Sequence, residues 1–230
     1  MIGAFKSLIK SLAHLAATFS LLLAFSWELK AESLPQKILD IHTGDVVVLS
    51  LNCSLCRVIE NETSSPYSHS AVIIRNGEGE YFYAQALGAK SNLKPLADLQ
   101  KVIRPGGVVH VFRNKELARL AERNPEDYRK FETRFRESFT TKFSNVAFDQ
   151  EFLWDNLGFD GQEKMYCSEF VAKMLNVFLK DKIKPAPMDF SRNWDIWQTY
   201  FRGAVPQGQL GLSPADLARS PAFFFVQSLE

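Results

Sequence analysis

Tyr166-Cys167-Ser168-Glu169-Phe170-Val171-Ala172-Lys173-Met174-Leu175 is the stretch on which the reading of this chain turns. Phe170, Val171, Met174, Leu175 and Phe178 recur at intervals of three and four, the period of a helix with one apolar face. The residues before it, 148–165, are irregular and carry Trp154, Asp155, Gly158 and Gly161, so the helix begins near Cys167 and the thiol falls in its first turn. Free backbone N–H groups and the positive end of the helix dipole favour a thiolate there and can hold a developing oxyanion. A cysteine at a helix start is also common as a small buried residue. Position alone therefore does not decide, and a base is needed.

Four histidines are available. His14 lies in the apolar N-terminal run, His42 precedes the first expected strand, and His110 falls inside another. His69 differs, because it stands at the mouth of a strand just after the polar loop 61–66, a common place for a functional side chain on a rigid scaffold. Working outward from it, period-two and β-branched patterns predict strands over 46–50, 69–75, 81–86 and 108–112, with a short helix over 55–60. Asn76-Gly77-Glu78-Gly79 reads as a hairpin turn and lacks the third glycine and following helix of a nucleotide loop. The hairpin brings Gln85 or Tyr83 beside His69; a Gln85 carbonyl can accept the second ring N–H of the histidine and fix its tautomer. The spacing gives a meander, not parallel crossovers. The expected fold is α+β, a mainly antiparallel sheet packed on the Cys167 helix. Residues 115–141 read as a charged helical segment broken at Pro125, and the tail offers a short helix near 214–219 and a last strand over 222–226.

Composition narrows the partners. The 230 residues carry 27 basic against 26 acidic side chains, a net charge of +1, which leaves no electrostatic footprint for nucleic acid. Lys6 and Lys10 flank the start of an apolar run over 12–25, the pattern of an export signal, with Ala31 at the end of an imperfect cleavage site. Residues 1–31 are thus expected to be a signal peptide or an N-terminal anchor, the latter giving membrane association, and 32–230 a single domain outside the cytoplasm, periplasmic or extracellular. Three cysteines are too few for a disulfide framework. Cys53 and Cys56 read as a local disulfide or as two half-buried residues, because a zinc site would need a second pair and no βαβ pattern supports thioredoxin-type chemistry. No metal or other cofactor is expected.

Gly44-Asp45-Val46-Val47, Tyr67-Ser68-His69-Ser70, Ala84-Gln85-Ala86, Phe148-Asp149 with Trp154-Asp155, Tyr166-Cys167-Ser168-Glu169-Phe170-Val171 and Leu212-Ser213-Pro214 follow one another in this order. In that order they resemble the permuted papain-like amidases of the YaeF/YiiX group, over nearly the whole chain from Gly44 onward. The resemblance implies a circularly permuted NlpC-type fold, with Cys167 as nucleophile, His69 as base and Gln85 as the polar residue that orients it. It implies hydrolysis of amide bonds through a thiol acyl-enzyme, with cell-wall peptides among the expected substrates. The related acyltransferases, together with 19 phenylalanines, make acyl-lipid chemistry the alternative, as a thioesterase or acyltransferase. Two positions depart from the group: Gln85 stands where relatives usually carry Glu, and Phe148 where they often carry Tyr. These departures motivate a third reading, a binding module that has lost catalysis.

Overall fold

The computed structural model describes residues 40–229; the segment 1–31, expected to be a signal or anchor, lies outside the described residues, as do 32–39 and Glu230. The first element, β1 (Val46–Leu49), is buried at every position, as its unbroken apolar run requires of a central strand. A nine-residue helix, α1 (Ser54–Glu62), follows. Its N-cap is Cys53, whose sulfur accepts from the Cys56 N–H and is joined to Cys56 in a disulfide. The expected local pairing is therefore present, and Cys167 is a free thiol. Then β2 (His69–Arg75) and β3 (Tyr81–Leu87) form the anticipated hairpin, with Val72 opposite Ala84.

The chain next adds β4 (Lys90–Pro95), a 3-10 turn over Leu96–Lys101, and β5 (Val109–Asn114). Neither β4 nor the 3-10 turn is expected from the sequence: β4 is an edge strand of mostly exposed polar residues, without apolar alternation. The charged segment divides at Asn124 into α2 (Lys115–Arg123) and α3 (Pro125–Ser138). Pro125 occupies the first turn of α3, where its missing N–H costs nothing, and Asn124 caps that helix through the Asp127 N–H. The helix that decides the fold, α4 (Cys167–Asn176), begins at the thiol. After it come β6 (Ala186–Pro187), α5 (Trp194–Tyr200), β7 (Leu210–Gly211), α6 (Pro214–Arg219) and β8 (Phe223–Ser228). The tail helix and strand stand where the pattern put them, within two residues.

One sheet runs β4-β3-β2-β1-β5-β8, with each neighbouring pair antiparallel. Alternate side chains of its strands feed two cores. Val46, Val48, Val72, Ile74 and Ala84 meet Phe131 and Phe135 of α3 and Phe170, Val171 and Met174 of α4 on one side. Val47, Leu49, Ala71, Ile73 and Tyr83 face Ile41, Cys56 and Leu99 on the other. Gly44 is forced on this architecture twice over, because it turns at φ 87° and a Cβ there would lie 2.8 Å from Leu117. Beside it the buried Asp45 carboxylate takes two hydrogen bonds from Arg113, which also reaches Asp40. Among the described residues no helix is long and apolar enough to cross a membrane.

Candidate active site

Cys167 is the first residue of α4, preceded by Tyr166 in extended conformation, and no side chain caps that helix end. Its opening N–H groups are thus not engaged by a capping side chain. His69 opens β2 and is almost fully buried, and its ring lies beside the Cys167 thiol. Burial by itself pushes the thiol pKa up. The charge and hydrogen bond of His69, aided by Ser168 and the Ser70 backbone N–H, overcome that and bring it down to about 7. Ser168 Oγ lies 3.7 Å from the sulfur.

Behind the imidazole, Nε2 of His69 lies 2.7 Å from Oε1 of Gln85. A chain of further bonds fixes which way that amide points. Asn92 donates from Nδ2 to the Lys90 carbonyl (3.2 Å), so its Oδ1 faces Gln85 and accepts from Gln85 Nε2 (3.2 Å). Gln85 must then present its oxygen to the ring, the Nε2–H donates, and Nδ1 is left for the thiol. Asn92 escaped the sequence reading because β4 did; its signal is register alone, since Asn92 is the direct cross-strand partner of Gln85. Of the two residues the hairpin offered, Gln85 reaches His69. Tyr83 turns into the second core. His110 is bonded to the Tyr67 hydroxyl at 2.8 Å and packs edge-on against Phe225, the surroundings of a structural histidine.

A cleft of about 430 Å³ opens beside Cys167, with Phe152, Tyr166, Met188, Phe190, Trp197 and Leu212 among its walls. Two irregular segments supply Phe152 on one side and Met188, Phe190 and Trp197 on the other. The first is bent by the buried Asp149, whose carboxylate accepts from the Glu151 and Leu153 N–H groups and from Asn156 Nδ2. Within that bend Phe152 adopts φ 55°, and its ring stacks on Tyr200 and meets Tyr166 edge-on. The second segment carries α5 and is anchored by Glu62, which accepts from the Arg192 and Asn193 N–H groups and from Trp197 Nε1. Gly211 is bare because Met188 lies across it; a Cβ there would come within 2.2 Å of the Met188 sulfur.

A model of the permuted papain-like amidase enzymes of the YaeF/YiiX type, the C92 family, matches residues 40–227. No curated protein matches the chain by sequence. Among solved structures it is similar to a crystal structure described as the metalloprotein YiiX from Escherichia coli O157:H7, with a TM-score of 0.67. That match has 18% identity and covers 82% of this chain and 97% of the other, a likeness that shows the fold.

The word metalloprotein prompts a test of this chain's own donors. Among the described residues, Asp155, Glu163 and Glu169 have carboxylates close enough to share an ion. Lys173 already binds all three, at 2.6 Å from Asp155 and 2.8 Å from Glu169 and in closer contact with Glu163. An ammonium thus stands where a metal would have to sit, and the group does not fit one. What it does is structural: Glu169, on α4 two residues after the thiol, also accepts the Asp155 N–H and ties the Phe152 segment to the helix.

Proposed function

Because the chain belongs to the C92 family of permuted papain-like amidases, we propose that it hydrolyses carboxylic amides with Cys167 as nucleophile, His69 as general base and acid, and Gln85 as the residue that orients the imidazole. The observation that carries this reading is the constellation itself: a free thiol at the first residue of α4 beside the buried imidazole of His69, which Gln85 Oε1 meets from behind at 2.7 Å. The charge and hydrogen bonding of His69 lower the thiol pKa against burial, which favours the thiolate as nucleophile and leaves the imidazole beside it to move protons.

The steps follow from these positions. The thiolate attacks the carbonyl carbon, and the carbonyl oxygen takes the negative charge against the N–H groups at the start of α4. The imidazolium gives its proton to the departing amine, the C–N bond breaks, and the acyl group stays on sulfur as a thioester. Water then enters on the base side, His69 takes its proton, and the tetrahedral adduct collapses to the carboxylic acid and the thiolate. Gln85 keeps Nδ1 aimed at the sulfur throughout. As a neutral acceptor it stabilises the imidazolium less than a carboxylate would, so the pair favours a modestly rather than a strongly charged dyad. Phe148 offers no hydroxyl to the oxyanion, which leaves that task to backbone.

We place the enzyme outside the cytoplasm. The apolar run over 12–25 and the Cys53–Cys56 disulfide both support an oxidising compartment.

Intact-mass and peptide mapping after mixing with a library of amides tests the assignment. An acyl adduct on Cys167, lost in Cys167→Ala, is expected. An adduct that maps elsewhere, or amide turnover that survives in the alanine variant, overturns it.

A further inference from the structure

Away from the thiol, a groove of about 630 Å³ opens between α2 and α3, which meet at Asn124. Glu116, Arg119, Leu120 and Arg123 of α2 line it, one face of that helix at intervals of three and four. Asp127, Lys130, Phe131 and Arg134 repeat the same spacing on α3. Phe178 and Lys180, just past the C-terminal end of α4, complete the walls. Cys167 begins that helix, so the groove and the sulfur lie at its opposite ends.

The floor is apolar. Leu117 and Phe131 are buried, Leu120 is half-buried, and Phe178 meets Phe131 edge-on with ring centroids 5.3 Å apart. The rim is charged, and most of its acids are already engaged. Glu116 accepts the N–H groups of Lys180 and Asp181, and Asp127 accepts from Lys130 and from the Asn124 side chain. Its cations are not engaged in this way. Among the described residues, Arg119, Arg123 and Lys180 have no carboxylate partner, and Arg134 instead lies over the Phe178 ring, 5.8 Å from its centroid. Three guanidinium groups and an ammonium thus face one unpaired carboxylate, that of Asp181.

Guanidinium forks match phosphate oxygens, and an apolar floor beneath them matches a hydrocarbon chain. A nucleic acid or an acidic peptide would use the rim and leave the floor wet. The start of the domain lies behind the same floor: a Cβ on Gly44 would come 2.8 Å from Leu117 and 3.1 Å from Phe131, and Tyr128 of α3 donates to the Thr43 carbonyl. Only Asp40, Ile41 and His42 separate that contact from residues 1–39, which contain the apolar run over 12–25. We propose that the groove between α2 and α3 binds an anionic phospholipid of a bilayer surface, its phosphate on Arg119, Arg123 and Arg134 and the start of an acyl chain on Leu120, Phe131 and Phe178. The proposal is independent of the chemistry at Cys167.

The probes are phosphatidylglycerol and phosphatidylcholine carrying the same diazirine in one acyl chain, each at trace level in mixed vesicles of the two lipids, with the full chain added. Irradiation releases N2, and the carbene inserts into a neighbouring C–H bond, so peptide mapping shows what the acyl chain touched. With about a fivefold gain in affinity per arginine at an anionic lipid, the phosphatidylglycerol probe should label the peptides carrying Leu120, Phe131 and Phe178 roughly 20-fold or more above the phosphatidylcholine probe. Arg119→Ala, Arg123→Ala and Arg134→Ala should each lower that labelling about fivefold, and the triple variant should bring it to the phosphatidylcholine level. Lysine at all three positions should keep the preference for the anionic lipid. Equal labelling by the two probes, labelling confined to other peptides, or no labelling overturns the proposal. Displacement of the probe at matched ionic strength by inorganic phosphate would make this a site for the free anion, and displacement by poly-glutamate a site for an acidic peptide; either result also overturns it.

Discussion

The proposed base side of Cys167 and the side on which the cleft opens are built by different means. His69 and Gln85 stand on adjacent strands inside a hydrogen-bonded six-stranded sheet, and their geometry is fixed by register. Phe152, Phe190 and Trp197 stand on segments with little regular structure, each bent into place by a carboxylate: Asp149 and Glu169 for the first segment, Glu62 for the second. A proton relay tolerates little misplacement, and strands hold side chains to fractions of an ångström. An apolar wall needs only shape, which loops can change without disturbing the chemistry. The difference implies that the two sides fail separately, and the predictions below are ordered by how much each failure costs.

The largest effects belong to the base side. Cys167→Ala should reduce amide turnover by at least ~10³-fold while leaving the thermal midpoint within a few degrees, because a half-buried thiol is small. His69→Ala should come close to it, and its second signature separates chemistry from misfolding. In the parent, the iodoacetamide rate at Cys167 should rise with pH around a midpoint near 7, since the thiolate is populated above that value. Without the imidazole the midpoint should move upward, toward an ordinary thiol or beyond it, because burial remains. An unmoved midpoint would show that His69 does not set the thiol.

Gln85→Ala should cost turnover less, about 10- to 100-fold, since orientation is one part of the base's work. Gln85→Glu should recover activity, since a carboxylate also accepts from the His69 Nε2–H. Asn92→Ala belongs with this pair. If Asn92 holds the Gln85 amide in its acting orientation, the loss should resemble that of Gln85→Ala and vanish in the Gln85→Glu background, where no amide remains to be turned. Equal losses in both backgrounds would assign Asn92 to stability instead.

The same contrast accounts for what could be read in advance. Strand β1 announces itself through its unbroken apolar run, β2, β3 and β5 through β-branched, aromatic and alternating patterns, and α4 through its three-and-four repeat; hence the positions of the thiol, the imidazole and Gln85 were all legible. The strand carrying Asn92 was not. Its sequence, Lys90 to Pro95, is polar and exposed, and only pairing with β3 makes it a strand. The aromatic wall was illegible for another reason. Phe152 and Trp197 lie far apart in the chain, and the bonds that bring them to the cleft run to the carboxylates of Asp149, Glu169 and Glu62 largely from backbone N–H groups, which sequence does not distinguish. Glu169 reads as one more charged residue on a helix, yet it is fully buried.

Glu169 gives the cleft side its own test. Burial pushes its pKa up to about 7, against the opposing pull of Lys173 and the Asp155 N–H. Between its ordinary value of 4.5 and about 7 the folded protein therefore binds a proton that the unfolded chain does not. Stability contributed by this group should fall as pH rises through that window. Relative to Glu169→Gln, the parent should lose a few degrees of thermal midpoint between pH 5 and 7.5, roughly the scale of one or two kcal/mol in a domain this size. A parent and variant that run parallel across the window would place the wall's support elsewhere.

The smallest effect on turnover is expected at the start of α1. The Cys53–Cys56 bond closes a loop of only four residues, so in the chain-entropy view it contributes at most about 2 kcal/mol. Part of its local role is separate from the bond, because the Cys53 sulfur also caps α1 at the Cys56 N–H, 3.1 Å away. Cys53→Ser with Cys56→Ala keeps a capping oxygen while removing the disulfide, and isolates the entropic part. Denaturant titration should show that loss of stability, with amide turnover and the Cys167 alkylation midpoint unchanged. Thiol counting on the parent, unfolded without reductant, should return one reactive thiol. A count of three would remove the disulfide, and a tenfold fall in turnover on its replacement would show that the far end of α1 is coupled to the sulfur at Cys167.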